Sequence, residues 1–155
     1  MAQELWLLRH GDAEDDGGQG DAARRLSDKG ERQARAAGRA LAALGVEFAA
    51  VLSSPRVRAR ETATLAAEAL DAQVEIHEPL SGGFDRNDAL PVLAGLGPDD
   101  RVLLVGHEPD FSDLVHDLTG GRAEVKKGAV VALRVGRGSG ELLALLAPKA
   151  LKRIG

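Results

Sequence analysis

The 155-residue chain has no cysteine, no tyrosine, one tryptophan, one methionine and three phenylalanines. Without cysteine there is no disulfide, no thiolate nucleophile and no thiolate zinc site. At 3% aromatic residues the chain lacks the stacking platforms that hold single-stranded nucleic acid. It also lacks an excess of positive charge. Its 20 Lys and Arg against 24 Asp and Glu leave a formal net charge of -4, the wrong sign for nucleic acid or an anionic lipid surface. No apolar run approaches the length of a membrane span. The opening Met1-Ala2-Gln3-Glu4 begins no basic-then-apolar leader. These absences lead to the expectation of a cytoplasmic protein with no nucleic-acid partner and no membrane association.

What is present is ordinary for a globular protein, 44% apolar and 28% charged. The length fits one domain, residues 1–155, able to bury a core without crosslinks. With so few aromatics, that core must rest on Ala, Leu and Val.

Short apolar runs at residues 5–8, 48–52, 74–76 and 102–105 read as strands, and 102–105 is continuous enough to be buried on both faces. Between them lie helical patterns. Ser27 is a natural N-cap for a helix whose Ala34, Ala37, Leu41 and Leu44 share a face and which Gly45 ends. Pro55 opens a second helix carrying Ala59, Ala63, Ala66 and Leu70. Residues 87–96 form a weak helix interrupted by Pro91, and Phe111, Leu114, Val115 and Leu118 mark another, closed by Gly120-Gly121. Residues 129–135 and 141–146 read as a hairpin around Gly136 to Gly140. This alternation predicts an α/β three-layer fold, with a largely parallel central sheet flanked by helices and a C-terminal antiparallel hairpin. Residues 12–25 form a long loop, a kind of segment that is often functional.

Three predicted strands end on chemically distinctive residues: Arg9-His10-Gly11, Ser53-Ser54-Pro55-Arg56 and Gly106-His107. Ligands of open α/β sheets bind beyond the carboxyl ends of the strands. The fold can therefore gather Arg9, His10, Arg56 and His107. Guanidinium forks match phosphate oxygens. A neutral imidazole can attack phosphorus and carry it covalently.

Arg9-His10-Gly11 after the first strand resembles the signature of the histidine phosphatase superfamily. Ser54-Pro55-Arg56-Val57-Arg58-Ala59-Arg60-Glu61-Thr62-Ala63 is similar to that family's second arginine segment, and Val105-Gly106-His107-Glu108-Pro109 to its second histidine segment. The small size and the start Arg9-His10-Gly11-Asp12-Ala13 most resemble the SixA-type phosphohistidine phosphatases. The resemblance implies a phosphoglycerate mutase-like fold, His10 as the transiently phosphorylated nucleophile, and Arg9, Arg56 and His107 as phosphoryl ligands. It implies no metal and no cofactor.

The chain also departs from the family. Ala13 stands where mutases and sugar-phosphate phosphatases usually have Ser or Thr. The span from Leu70 to Arg101 has little room for the inserted region that carries an acid in larger members. Glu78, Asp85 and Glu108 are the candidate proton donors, and the choice among them stays open. The expected partner is a phosphorylated protein, bearing phosphohistidine, or a small phosphorylated molecule. The alternatives are a phosphatase for small phosphate esters or pyrophosphates, and a phosphate-binding regulatory module without turnover.

Other motifs carry less. Gly136 to Gly140 has dinucleotide-like glycine spacing but no following helix, so it reads as a turn. His77 and His116 have no metal-ligand spacing. Glu14-Asp15-Asp16, Arg24-Arg25 and Lys126-Lys127 read as solvated segments, the first two with a second reading as a rim that meets a protein substrate.

Overall fold

The computed structural model describes residues 2–155. Its strands are β1 (Gln3–Arg9), β2 (Ala50–Ser53), β3 (Val74–Ile76), β4 (Arg101–Gly106), β5 (Val130–Gly136) and β6 (Ser139–Leu146). Its helices are α1 (Asp28–Ala43), α2 (Val57–Leu70), α3 (Arg86–Ala94), α4 (Asp110–Thr119) and α5 (Pro148–Ile154). Single 3-10 turns lie at Asp21–Ala23 and Glu78–Ser81.

The strands form one sheet in the order β3-β2-β4-β1-β5-β6. The pairs β3–β2, β2–β4 and β4–β1 are parallel, while β1–β5 and β5–β6 are antiparallel. The α/β fold with a parallel centre and a C-terminal hairpin is the one the sequence predicts. The hairpin turns at Arg137-Gly138, both at positive φ as a tight turn requires.

Alternation along β1 shows how the layers form. Leu5 and Leu7 pack with Phe111, Leu114 and Leu104 on the α3 and α4 side. Trp6 and Leu8 pack with Ala37, Leu41, Ala63 and Leu151 on the α1, α2 and α5 side. Each fully buried leucine withdraws enough apolar surface to stabilise the fold by about 2 kcal/mol. Alanine-rich α1 and α2 approach closely. A Cβ at Gly38 would stand 2.3 Å from the Ala66 carbonyl oxygen, so only glycine fits there.

Some boundaries differ from expectation. β2 begins at Ala50, because Phe48 turns its ring edge-on to Trp6 at 5.8 Å instead of joining the ladder. Leu44 is the C-cap of α1 and is 50% exposed, so the buried face ends at Leu41. α2 starts after Arg56, whose extended backbone makes it the N-cap, and Pro55 lies outside the helix. Pro91 sits within α3 and does not break it. α5 was not anticipated. It is seven residues long with a single buried side chain, Leu151, too short to show a period. Among the described residues no helix is long and apolar enough to cross a membrane.

Candidate active site

Three adjacent strands stop in one row. Arg9 is paired with Gly106, and Ser53 with Val105. The backbone then continues the ladder by one residue: His10 N donates to Gly106 O at 3.0 Å, and Ser54 N donates to Val105 O at 2.9 Å. His10, Ser54 and His107 therefore emerge side by side beyond the carboxyl ends of β1, β2 and β4. All three are buried. The rings of His10 and His107 lie 5.2 Å apart, centroid to centroid.

Contacts define the state of His10. Its Nδ1 lies 2.7 Å from the Gly11 carbonyl oxygen, which can only accept, so Nδ1 carries the proton. Arg58 Nε donates to Nε2 at 3.3 Å, so Nε2 presents its lone pair. Burial above all, with the charges of Arg58, Arg9 and Lys127 adding, pushes His10 from 6.5 down to about 4; the Gly11 carbonyl pulls the other way. Burial, then His10, Arg58 and Arg56, push His107 down to about 3. Both imidazoles are neutral at pH 7.

Gly11 allows the loop to pass close to α1. A Cβ on it would stand 2.6 Å from the Gly30 carbonyl oxygen. Thr62 ties the same point to α2: its Oγ1 accepts from Gly11 N at 3.1 Å and donates to Arg58 O at 2.7 Å. Arg58 and Thr62, four residues apart, share the helix face that meets His10.

The arginines divide differently from the sequence expectation. Arg9 sits beside His10, with Nη1 donating to Val125 O at 2.9 Å and Nε buried without a hydrogen-bond partner among the described residues. Arg58, not Arg56, touches His10. Arg56 stands farther out, with Nε on Ser81 O at 2.7 Å and Nη1 on the Asp21 carboxylate. The reason is where α2 begins: Arg56 caps the helix from outside, while Arg58 lies in its first turn on the inward face.

Asp21 is a further residue that sequence reasoning passed over. The 3-10 turn in the 12–25 loop brings its carboxylate to Arg56 and to Arg58 Nη2 at 3.1 Å, and its carbonyl oxygen to Arg58 Nη1 at 2.8 Å. Burial is the largest single influence and pushes the Asp21 carboxyl up, but hydrogen bonds from Arg24 and Arg58, with the charges of Arg58 and Arg56, together outweigh it and hold the group below its usual range. The loop is anchored at its base by Glu14 N to Arg25 O at 2.8 Å. Its length was the only sequence signal.

Two of the candidate donors lie elsewhere. Asp85 caps α3 in a reciprocal box with Asp88. Glu78 is exposed on its turn. Among the described residues neither is bonded to His10, His107, Arg9, Arg56 or Arg58. Glu108 accepts from Ser112 N at 2.7 Å at the start of α4, and its charge supports Arg9. Lys127 pairs with Asp12 at 3.5 Å, so this turn lies at the rim of the pocket. His116 is exposed near Gly121, and His77 packs against Phe84.

The unfolded chain binds protons on these histidines near 6.5, and the folded chain only near 4 and 3. Stability should therefore fall as pH drops below about 6.5 and continue falling toward 4. With four histidines the imidazole NMR spectrum is simple. His10 and His107 signals should stay flat from about pH 8 to about pH 5.5, while the urea midpoint declines over the acid half of that range. A His10 resonance titrating near 6.5 would contradict the buried neutral state.

The fold and these strand ends define a class: an α/β protein with a neutral histidine, flanked by guanidiniums, beyond the carboxyl ends of its central strands. Residues 5–82 match the model of the histidine phosphatase superfamily, branch 1. The chain belongs to that superfamily. It is 33% identical to an uncharacterized protein of a Picosynechococcus strain, over 96% of this chain and 98% of that one. It superposes on the protein histidine phosphatase SixA complexed with tungstate with a TM-score of 0.82 at 25% identity, covering 96% of this chain and 99% of that one. It also superposes on a mycobacterial glucosyl-3-phosphoglycerate phosphatase with a TM-score of 0.72, covering 92% and 97%. At 21% identity that second likeness speaks for the fold alone.

Proposed function

We propose that this chain is a phosphohistidine phosphatase that works through a covalent phosphohistidine on His10. The observation that carries this reading is the fixed state of His10, with Nδ1–H on Gly11 O and the Nε2 lone pair facing Arg58. The lone pair attacks phosphorus as the bond from phosphorus to the leaving nitrogen breaks; that nitrogen departs with the bond's electron pair, and the leaving ring keeps a proton on its other nitrogen or takes one from water. Water then attacks the phosphorus on His10, returning His10 neutral and releasing inorganic phosphate. Arg58 and Arg9 hold the phosphoryl oxygens and offset the charge that develops on them. An incoming phosphoryl group competes with the Asp21 carboxylate for Arg56 and Arg58. The likeness to SixA supports phosphohistidine as the substrate class. The protein works in the cytoplasm as a single domain.

Arg58→Lys should lower kcat/KM roughly a hundredfold, because a point charge replaces the fork at the nucleophile. Arg56→Lys should cost less than about tenfold, since Arg56 reaches the pocket through Asp21. Steady-state rates on a phosphorylated histidine peptide check this order. The reverse order would restore Arg56 as the principal phosphoryl ligand.

The reading assigns no step to a metal. Turnover should survive exhaustive chelation; loss on chelation, restored by zinc or magnesium, would make His10 a ligand instead of the nucleophile.

A further inference from the structure

Ser54 is fully buried at the end of β2, and its Oγ lies 2.8 Å from His107 Nε2. The same oxygen accepts from Arg56 N at 3.2 Å. One hydroxyl therefore meets one backbone donor and one ring nitrogen whose protonation is not given by geometry alone. Two arrangements are possible. In the first, His107 Nε2–H donates to Ser54. Ser54 then accepts twice, and its own buried proton has no acceptor among the bonds of this site. In the second, Ser54 Oγ–H donates to Nε2. Every atom of the hydroxyl is then satisfied, and the single proton of neutral His107 must sit on Nδ1.

Nδ1 is the telling atom. His107 is 7% exposed, and Nδ1 is buried with no hydrogen-bond partner among the described residues. It belongs to a ring beside His10, in a pocket lined by Arg9 and Arg58. A lone pair there would repel a phosphoryl oxygen brought against it. An N–H there would donate to one.

We propose that Ser54 is a positioning residue: its hydroxyl holds His107 in the Nδ1–H tautomer, making that nitrogen a neutral hydrogen-bond donor to the phosphoryl group. The proposal rests on the phosphatase reading for its catalytic consequence, but the tautomer itself is independent of turnover. A permanently neutral donor has a distinct use here. It stabilises phosphoryl oxygens without adding a third positive charge beside the nucleophile, which would lower the basicity of His10 further.

Long-range nitrogen–proton correlation NMR of the wild-type protein at neutral pH tests this directly. His107 should show a protonated Nδ1 and an unprotonated Nε2, and its Nδ1–H resonance should move downfield on titration with inorganic phosphate. Ser54→Ala should convert His107 to a mixture or to the Nε2–H form and lower kcat roughly tenfold, with KM changed less. Ser54→Thr, which keeps the hydroxyl, should restore the wild-type tautomer and most of the rate. An Nε2–H tautomer in the wild type overturns the proposal whatever the variants do. So does a folded Ser54→Ala protein with unchanged tautomer and unchanged kcat. If the wild type has the Nδ1–H tautomer and binds phosphate there but hydrolyses no phosphorylated substrate, the tautomer assignment stands and the phosphatase reading fails.

Discussion

His10→Ala should lower turnover by roughly 10⁴ or more while leaving the circular dichroism spectrum and the sheet intact. The size follows from the role. Arginine substitutions weaken charge stabilisation, but removing the nucleophile leaves only water attacking a bound phosphoryl group. The fold should tolerate the change because the backbone around His10 is held independently of its ring. His10 N donates to Gly106 O, Gly128 N donates to His10 O at 3.0 Å, and Gly11 N is held by Thr62. Rapid quench of the wild type with labelled substrate should trap phosphate that is stable in base and lost in acid, and peptide mapping should place it on the His10 peptide. Full activity in His10→Ala would falsify the nucleophile assignment.

Phosphohistidine and simple phosphoramidates should be hydrolysed much faster than alkyl phosphate esters. The leaving group decides this. An ester expels an alkoxide, which is a poor leaving group unless an acid supplies a proton. Phosphohistidine expels an imidazole whose conjugate acid has a pKa of about 6.5, so a ring proton or water meets the demand. The structure strengthens the argument by where it puts the carboxylates. Asp85 is engaged at a helix start, Glu78 is exposed and Glu108 is held by Ser112 N. Single changes of Glu78→Gln, Asp85→Asn and Glu108→Gln should barely slow phosphoramidate hydrolysis. Asp21 is the carboxylate that reaches the arginines, and Arg24 and Arg58 favour its ionised form, which is the wrong state for an acid. The measurement is kcat/KM on both substrate classes for wild type and the three amide variants. If alkyl esters are the better substrates and one variant selectively loses them, that residue is a dedicated acid and the ester-phosphatase reading replaces this one.

Much of the fold was legible because it depends on local pattern. The run at 102–105 is typical of a strand buried on both faces, and it is β4 at the sheet's centre. Phe111, Leu114, Val115 and Leu118 recur with helical spacing and all four are buried on α4. Gly120 at positive φ ends that helix, as a residue without a Cβ readily does. His10 and His107 could be picked out for the same reason: each follows a buried apolar strand at the point where an α/β sheet meets its ligand. The segment around Arg56 was harder. Arg56, Arg58 and Arg60 alternate along one stretch, and periodicity does not say which of them turns inward.

By itself the sequence determined the strand–helix alternation, the capping of α1 at Ser27 and the two histidines at strand ends, because each follows from side-chain period, capping chemistry or a residue's immediate neighbours. Tertiary structure decided the rest. Arg58 replaced Arg56 beside His10 because Ser54 Oγ and the extended backbone of Arg56 start α2 one residue after Arg56. Asp21 reached the arginines because the loop closes back on α2 across 37 residues of chain. Such assignments depend on distances between segments far apart in the chain, and those distances exist only once the sheet has formed.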